Sequence, residues 1–173
     1  MFQMSFKLMG AFFIFISCGI AGWRKGEQLA RRVRVLEDMI VVLNHLRDSL
    51  RYEIGSTYEL LQKTSNNILL RELKLPFDNL TDDPSMDVQL NNILEELRQR
   101  YHEIVYQHEF QYFESGISGL LRLPAGQEEK LLEYSAAQLS LLVMNARKEC
   151  EQQKKLYRAI GLSFGGMAAL LLL

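Results

Sequence analysis

Three histidines are the side chains of this chain best suited to binding a metal. Glu103 follows His102, and His108 comes six residues after His102. A helical zinc-protease site needs its second histidine four residues after the first, because that spacing places both rings on one face. Position 106 is a tyrosine, so His102 and His108 fall on different faces, and His45 stands apart from both. We therefore expect histidines at the surface or at the edge of the core, and no metal site.

The other candidates for chemistry are a cysteine and an acidic loop. Cys150 falls on an apolar helical stripe, which predicts a buried thiol and not a nucleophile. Asp82 and Asp83, together with Asp87, lack the glycine and the distal glutamate of a calcium loop, which favours a solvated loop. The sequence contains no P-loop, no glycine-rich dinucleotide turn and no CxxC pair. We expect no catalytic residue, no cofactor and no metal, and hence a protein that is not an enzyme.

The elements that must position these residues lie between two uncharged ends. Residues 8–23 and 159–173 contain no charged side chain, whereas all 21 acidic residues and all but one of the 20 basic residues lie between positions 24 and 158. The exception is Lys7. A helix needs about 20 apolar residues to cross a bilayer. We predict transmembrane helices at residues 4–23 and 159–173, both short, with Lys7 and Arg158 reaching toward the lipid headgroups.

The basic residues next to these segments predict their orientation. Five follow the first segment, at positions 24, 25, 31, 32 and 34, and three precede the second, at 154, 155 and 158. Since basic flanks stay on the cytoplasmic side, both segments indicate a cytoplasmic middle and termini outside the cell membrane. Two other interpretations of the N-terminus remain open. One is a cleavable signal peptide ending near Ala21, and the other is an exported lipoprotein acylated at Cys18.

The polar middle, residues 24–158, has the size of one domain. Its formal net charge is −2, because the whole chain carries −1 and Lys7 lies outside it. Nucleic-acid-binding domains are normally basic, so we expect no nucleic-acid partner. Apolar residues recur with helical periodicity throughout. We predict an all-α fold, an antiparallel bundle of five to six helices flanked by the two terminal transmembrane helices.

A leucine heptad marks the first long helix of this bundle. Leu29, Leu36, Leu43 and Leu50 recur every seven residues, and nothing firmly separates this stripe from the first membrane segment. Such a heptad is typical both of a dimeric coiled coil and of a core helix in a bundle. The other stripes also need partners, which favours the core helix, and homo-oligomer formation stays open. The first and last helices should pair, because both must reach the same membrane.

Capping residues and breakers divide the rest of the middle. Position 56 or 57 should cap a short second helix, and Asp83 before Pro84 should cap the next. That helix should continue from position 86 through 112 until Gly116 and Gly119 break it. The last helix should begin after Pro124 and run without a break into the second membrane segment.

Glycines at a four-residue spacing occur at both membrane segments. Gly161 and Gly165 lie in the second segment, and Gly22 and Gly26 close the first. Small residues at this spacing let membrane helices approach closely. We expect these four glycines to form a contact between membrane helices.

Three short stretches and the order of the helices carry a family resemblance. The most specific stretch is residues 154–161 (KKLYRAIG), followed by a Gly-rich and Leu-rich end. Residues 50–54 (LRYEI) close the first long helix, and residues 113–116 (FESG) precede a turn and the last helix. In these stretches, and in its full-length layout, the chain resembles the stage III sporulation protein AB family of endospore-forming bacteria.

The resemblance implies a component of the secretion-like channel complex that links mother cell and forespore after engulfment. It implies a place in the mother-cell-derived membrane, with the domain in the mother-cell cytoplasm. The family's domain is similar to the cytoplasmic bundles of type II secretion F proteins, which contact a cytosolic ATPase. The implied partners are therefore the stage III sporulation protein AA ATPase, other stage III sporulation membrane proteins and the lipid bilayer. The expected function is a non-enzymatic membrane platform. The alternative is a membrane-tethered helical adaptor or signalling protein unrelated to sporulation.

Overall fold

The fold is all-helical wherever the structure describes it. The computed structural model describes the backbone of residues 2–52, 55–67, 70–124 and 126–172, and the side chains at positions 24, 26–52, 55–66, 70–124, 126–156, 159 and 163. Within these residues there are five α-helices and one 3-10 turn, and no strand. They are α1 (Phe2–Tyr52), α2 (Thr57–Asn67), the 3-10 turn (Phe77–Asn79), α3 (Met86–Tyr101), α4 (Gln107–Arg122) and α5 (Glu128–Leu172). The all-α prediction is confirmed.

The chain divides into two compact units. The first comprises Met1–Ala30 and Ala146–Leu173, and the second is Arg31–Asn145. In the first unit Gly26 of α1 is buried, and a Cβ atom placed on it would lie 3.5 Å from Cγ of Lys154 in α5. Over the described part of the chain, no helix offers a stretch both long and apolar enough to cross a bilayer. The transmembrane helices predicted at residues 4–23 and 159–173 fall almost entirely on side chains outside the described set, and they remain predictions.

In the second unit, α1 is buried over a face wider than its leucine heptad. Its buried apolar residues include Val35, Leu36, Met39, Val42, Leu43 and Leu46. Only two of these six belong to the heptad. A helix buried over so wide an arc contacts several other helices at once. This burial supports the interpretation of the heptad as part of a core helix.

The prediction that the first and last helices pair is confirmed. Arg51, near the end of α1, forms an ion pair with Glu129 in the first turn of α5. Further along, Leu43 of α1 and Ser135 of α5 both meet Gly116 of α4. The two helices are therefore antiparallel in the second unit. The apolar stripe of α5 on which Cys150 falls is also buried, at Leu132, Ala136, Leu139, Val143, Ala146 and Cys150.

The single helix predicted from position 86 to 112 is wrong, since α3 ends at Tyr101 and α4 begins at Gln107. Gly116 and Gly119, expected to break it, lie inside α4. A Cβ atom at Gly116 would lie 2.8 Å from Cδ2 of Leu43, and one at Gly119 would lie 2.3 Å from Cδ2 of Leu131. The two glycines thus allow close packing of α4 against its neighbours. From the sequence pattern alone, the same glycines predict a break in the helix.

One predicted cap is confirmed and the other is wrong. The backbone N–H of Glu59 donates to Oγ of Ser56 at 3.3 Å, which makes Ser56 the cap of α2. At α3 the N-cap is Ser85 and not Asp83. The Asp83 carboxylate instead accepts hydrogen bonds from the backbone N–H of Ser85 (2.8 Å) and from its hydroxyl (2.5 Å). These hydrogen bonds span Pro84, so Asp83 stabilises the turn that precedes the helix.

Candidate functional site

A groove of about 660 Å³ runs along α4 between α3 and α5 in the second unit. It is lined mainly by polar and charged side chains. These are Arg98, His108, Gln111, Tyr112, Glu114, Ser115, Ser118 and Arg122, together with Gly119, Leu123 and Leu131. Such a lining suits hydrogen-bonded and charged contacts with a protein surface. The groove is the candidate docking site of this domain.

Ion pairs between α3 and α4 position the two arginines of the groove. Nη2 of Arg98 lies 2.6 Å from Oε2 of Glu114, and its Nη1 lies 3.0 Å from Oε2 of Glu95. The hydrogen bond to Glu114 raises the pKa of Arg98 above its ordinary value, so this guanidinium is charged at any physiological pH. Nη2 of Arg122 lies 3.6 Å from Oδ1 of Asp87 in α3. Since early α3 meets late α4, the two helices form an antiparallel hairpin whose ion pairs fix the groove.

A buried ion pair holds the start of α4 against α1. Arg32 donates from Nη2 to Oε1 of Glu109 at 2.6 Å and from Nε to Oε2 at 3.3 Å, and the Glu109 side chain is completely buried. Glu109 also accepts the backbone N–H of Tyr106 at 3.0 Å, so it caps α4 as well. The Arg32 guanidinium lies 4.1 Å from the centroid of the Tyr106 ring, and that ring stacks on His108. This chain of contacts runs from α1 to His108 at the groove.

A second buried carboxylate fixes the segment between α2 and the 3-10 turn. Oδ2 of Asp38 accepts the backbone N–H groups of Arg71, Glu72 and Leu73, at 3.0, 2.7 and 2.9 Å. Tyr101, at the end of α3, donates its hydroxyl to the carbonyl of Glu72 at 2.9 Å. Residues 71–73 of this segment are therefore held to both α1 and α3.

Exposed and half-buried charges reinforce the same segment. The Glu72 carboxylate accepts from Nε of Arg31 at 3.1 Å and from Nε of Arg34 at 3.0 Å. Arg71 lies 3.5 Å from Glu37. Arg31 and Arg34, which the sequence assigns to the basic flank of the first membrane segment, thus also stabilise the bundle.

The residues first considered for chemistry lie where the sequence predicts them. His102 and His108 are exposed, and His45 is half-buried. Cys150 is a buried free thiol. Asp82, Asp83 and Asp87 are all exposed, and Asp87 belongs to the first turn of α3. Within the described residues, no three His, Cys, Asp or Glu side chains cluster closely enough to hold a metal ion. Of the four glycines predicted to form a membrane contact, only Gly26 has its surroundings described, so this contact stays a prediction.

The sequence does not identify Arg32, Asp38 and Glu109 as the buried charged residues that hold parts of the bundle together. A signal for one of them exists: Asp38 lies three residues after Val35 and four before Val42, on an apolar face of α1. A carboxylate on such a face needs a partner inside the fold. Its partners are backbone N–H groups of a distant loop, which no side-chain pattern reveals.

Comparison with families of known proteins identifies the family of this chain. The family model described as stage III sporulation protein AB matches residues 7–173, which is almost the whole chain. Searches of curated proteins and of solved structures give no match. The chain belongs to the stage III sporulation protein AB family.

Proposed function

We propose that this chain is a non-enzymatic platform component of the channel complex that links mother cell and forespore after engulfment. Residues 4–23 and 159–173 anchor it in the mother-cell-derived membrane, with the bundle in the cytoplasm and the termini outside. The family assignment supports a role in sporulation, and it disfavours the alternative of an adaptor unrelated to sporulation.

The observation that carries the docking part of this proposal is the groove between α3, α4 and α5. Its arginines are held in place by Glu114 and Asp87, and Arg122 remains 59% exposed. A charged group that is fixed before binding loses little side-chain entropy on contact, which favours a specific interface. In this proposal the groove receives an acidic surface of the stage III sporulation protein AA ATPase.

Charge reversal in the groove tests the docking. Arg122→Glu replaces an exposed cation of the groove, and we expect capture of the ATPase by the full-length chain to weaken at least about tenfold. Arg100→Glu is the matched control, because Arg100 is an exposed arginine of α3 that does not line the groove. Equal capture by wild type and Arg122→Glu would remove the groove as the docking site.

Topology and phenotype test the rest of the proposal. A reporter fused after residue 120 should be active only on the cytoplasmic side of the membrane. Activity on the outer side would contradict the platform and favour the lipoprotein acylated at Cys18. A deletion strain should stop sporulation after engulfment, so normal spores from that strain would contradict the proposed role.

A further inference from the structure

In the second unit, helix α5 carries apolar side chains on two opposite faces of the helix. The inward face contains Leu132, Leu139 and Val143, which are buried in the bundle. On the outward face Tyr134, Leu141 and Met144 remain 55%, 57% and 56% exposed, and Ala137 between them is exposed too. A helix that is apolar on both faces is normally covered on both faces. Tyr134 already meets the Tyr112 ring of α4 edge-on, with 6.4 Å between the ring centroids, so the part of the outward face that calls for an occupant is centred on Leu141 and Met144.

The spacing of the outward residues specifies the shape of that occupant. Tyr134, Ala137, Leu141 and Met144 follow one another at intervals of three, four and three residues. This is the a and d spacing of a coiled-coil seam, whose natural partner is another helix lying alongside. Ala137, small between the larger Tyr134 and Leu141, leaves a hole into which a partner side chain fits.

The residues beside the seam permit the seam to pair with itself. In a parallel pair, each g position faces the e position five residues later on the other helix. Glu133 would then face Gln138 of the second copy, and Ser140 would face Asn145 of the second copy. Each pair joins hydrogen-bonding groups and brings no two like charges together, so self-pairing meets no electrostatic penalty at the flanks.

We propose that a second copy of this chain covers the outward stripe of α5, in a parallel pair. The stripe offers on the order of 300 Å² of apolar surface, well below the ~800 Å² per partner of a stable soluble interface. The pair therefore depends on confinement, and this step rests on the proposed membrane anchoring. Two chains anchored in one membrane have parallel α5 helices and a high effective concentration, which compensates for the small area.

Thiol crosslinking of the full-length chain in vesicles of phosphatidylethanolamine and phosphatidylglycerol tests the pairing. Leu141→Cys is placed in a Cys18→Ser background, and the buried Cys150 is kept. Val88→Cys is the matched control, because Val88 is an apolar residue of α3 with 60% exposure. A short bismaleimide should yield dimer from Leu141→Cys and at most a trace from Val88→Cys.

Energy transfer gives a second measurement that does not need a thiol in the stripe. Copies labelled through Val88→Cys should show transfer in the same vesicles, and adding Leu141→Lys should reduce the dimer fraction by at least about tenfold. The circular dichroism spectrum of Leu141→Lys should match that of the wild type, because Leu141 is exposed in the single chain.

The outcomes separate the pairing from the anchoring on which it rests. If the chain floats with the vesicles but Leu141→Cys crosslinks no better than Val88→Cys, the pairing is overturned and the anchoring stands. Failure to float overturns the anchoring and the parallel pair together. In membranes of sporulating cells, crosslinking of Leu141→Cys to another protein in place of its own copy also overturns the pairing.

Discussion

Three charged residues, Arg32, Asp38 and Glu109, are buried in the bundle. Burial of an unpaired charge costs several kcal/mol, so each such group needs a partner in place before the fold is stable. Arg32 and Glu109 satisfy each other, and Asp38 is satisfied by three backbone N–H groups. These residues favour one arrangement of α1, α4 and the segment after α2 over others with similar apolar burial.

Glu109→Gln should destabilise the chain by about 3 kcal/mol, because it removes the charge of a completely buried carboxylate that pairs with Arg32 and caps α4. Glu96→Gln is the control: it breaks an exposed pair with Arg100 and should cost under about 0.5 kcal/mol. Urea unfolding of the full-length chain in detergent, followed by circular dichroism, measures both. Similar losses for the two variants would show that the buried pair does not stabilise the fold.

The turn before α3 should respond to acid. Hydrogen bonds from Ser85, then from Thr81, lower the pKa of Asp83 below its ordinary value of 3.8. The ionised form is thus favoured by folding, and its contribution is fully present above pH about 4 and is lost as the pH falls through the lowered pKa. The stability difference between wild type and Asp83→Asn should shrink as the pH decreases from 5 to 2. A difference that stays constant over this range would contradict the assignment.

Among the helices, α5 could be predicted from the sequence, whereas the break between α3 and α4 could not. The inward stripe from Leu132 to Val143 is long and uninterrupted, so its period identifies both the helix and its buried face. Residues 102–106 contain neither glycine nor proline. The hydroxyl of Tyr101 bonds to Glu72, and the carboxylate of Glu109 bonds to Arg32. These tertiary contacts on either side of the break favour two helices.

The candidate docking groove was likewise beyond prediction, because it exists only where three helices meet. Its residues are spread over α3, α4 and the start of α5, and no local spacing relates Arg98 to Arg122 or to Leu131. The sequence does supply the polar side chains themselves. These side chains converge because α3 and α4 form a hairpin, whereas the sequence pattern predicts one continuous helix from position 86 to 112.

The two glycines of α4 should respond differently to alanine. Alanine favours a helix over glycine by about 1 kcal/mol. At Gly116 the new Cβ meets Leu43, which is fully buried, and Ser135 on the other side, so we expect a net loss of about 1–2 kcal/mol. At Gly119 it meets Leu131, which is half-buried and can turn away, so Gly119→Ala should be neutral or stabilising. Thermal unfolding of both variants checks this, and the reverse order would contradict it.

At the scale of the whole molecule, two long helices dominate. α1 has 51 residues and α5 has 45, and each contributes to both compact units. Every other helix has 16 residues or fewer within the described chain. If the proposed membrane anchoring holds, assembly with other membrane proteins should depend on the spaced glycines, which lie near the middle of α1 and near the end of α5.

Replacement of Gly161 and Gly165 by leucine should weaken membrane assembly and leave the bundle folded, because bulkier residues prevent close helix approach. The size of the complex purified in mild detergent from sporulating cells measures assembly, and thermal unfolding measures the fold. Leucine at positions 162 and 170 already provides similar bulk in this segment, so Ser163→Leu is a suitable control. Unchanged complex size in the double variant would mean that the glycines are incidental.

The central position of α1 also constrains how the chain is made. The buried face of α1 around Leu43 leaves the ribosome long before Leu132 of α5, the helix that covers part of it. At 5–20 residues per second, this interval lasts roughly 5–20 s. During that time α4, whose Gly116 meets Leu43, can cover part of this face, and the part that α5 covers stays open. The part of α1 that faces α5 therefore closes last, and we expect aggregation of the nascent chain to start from this part.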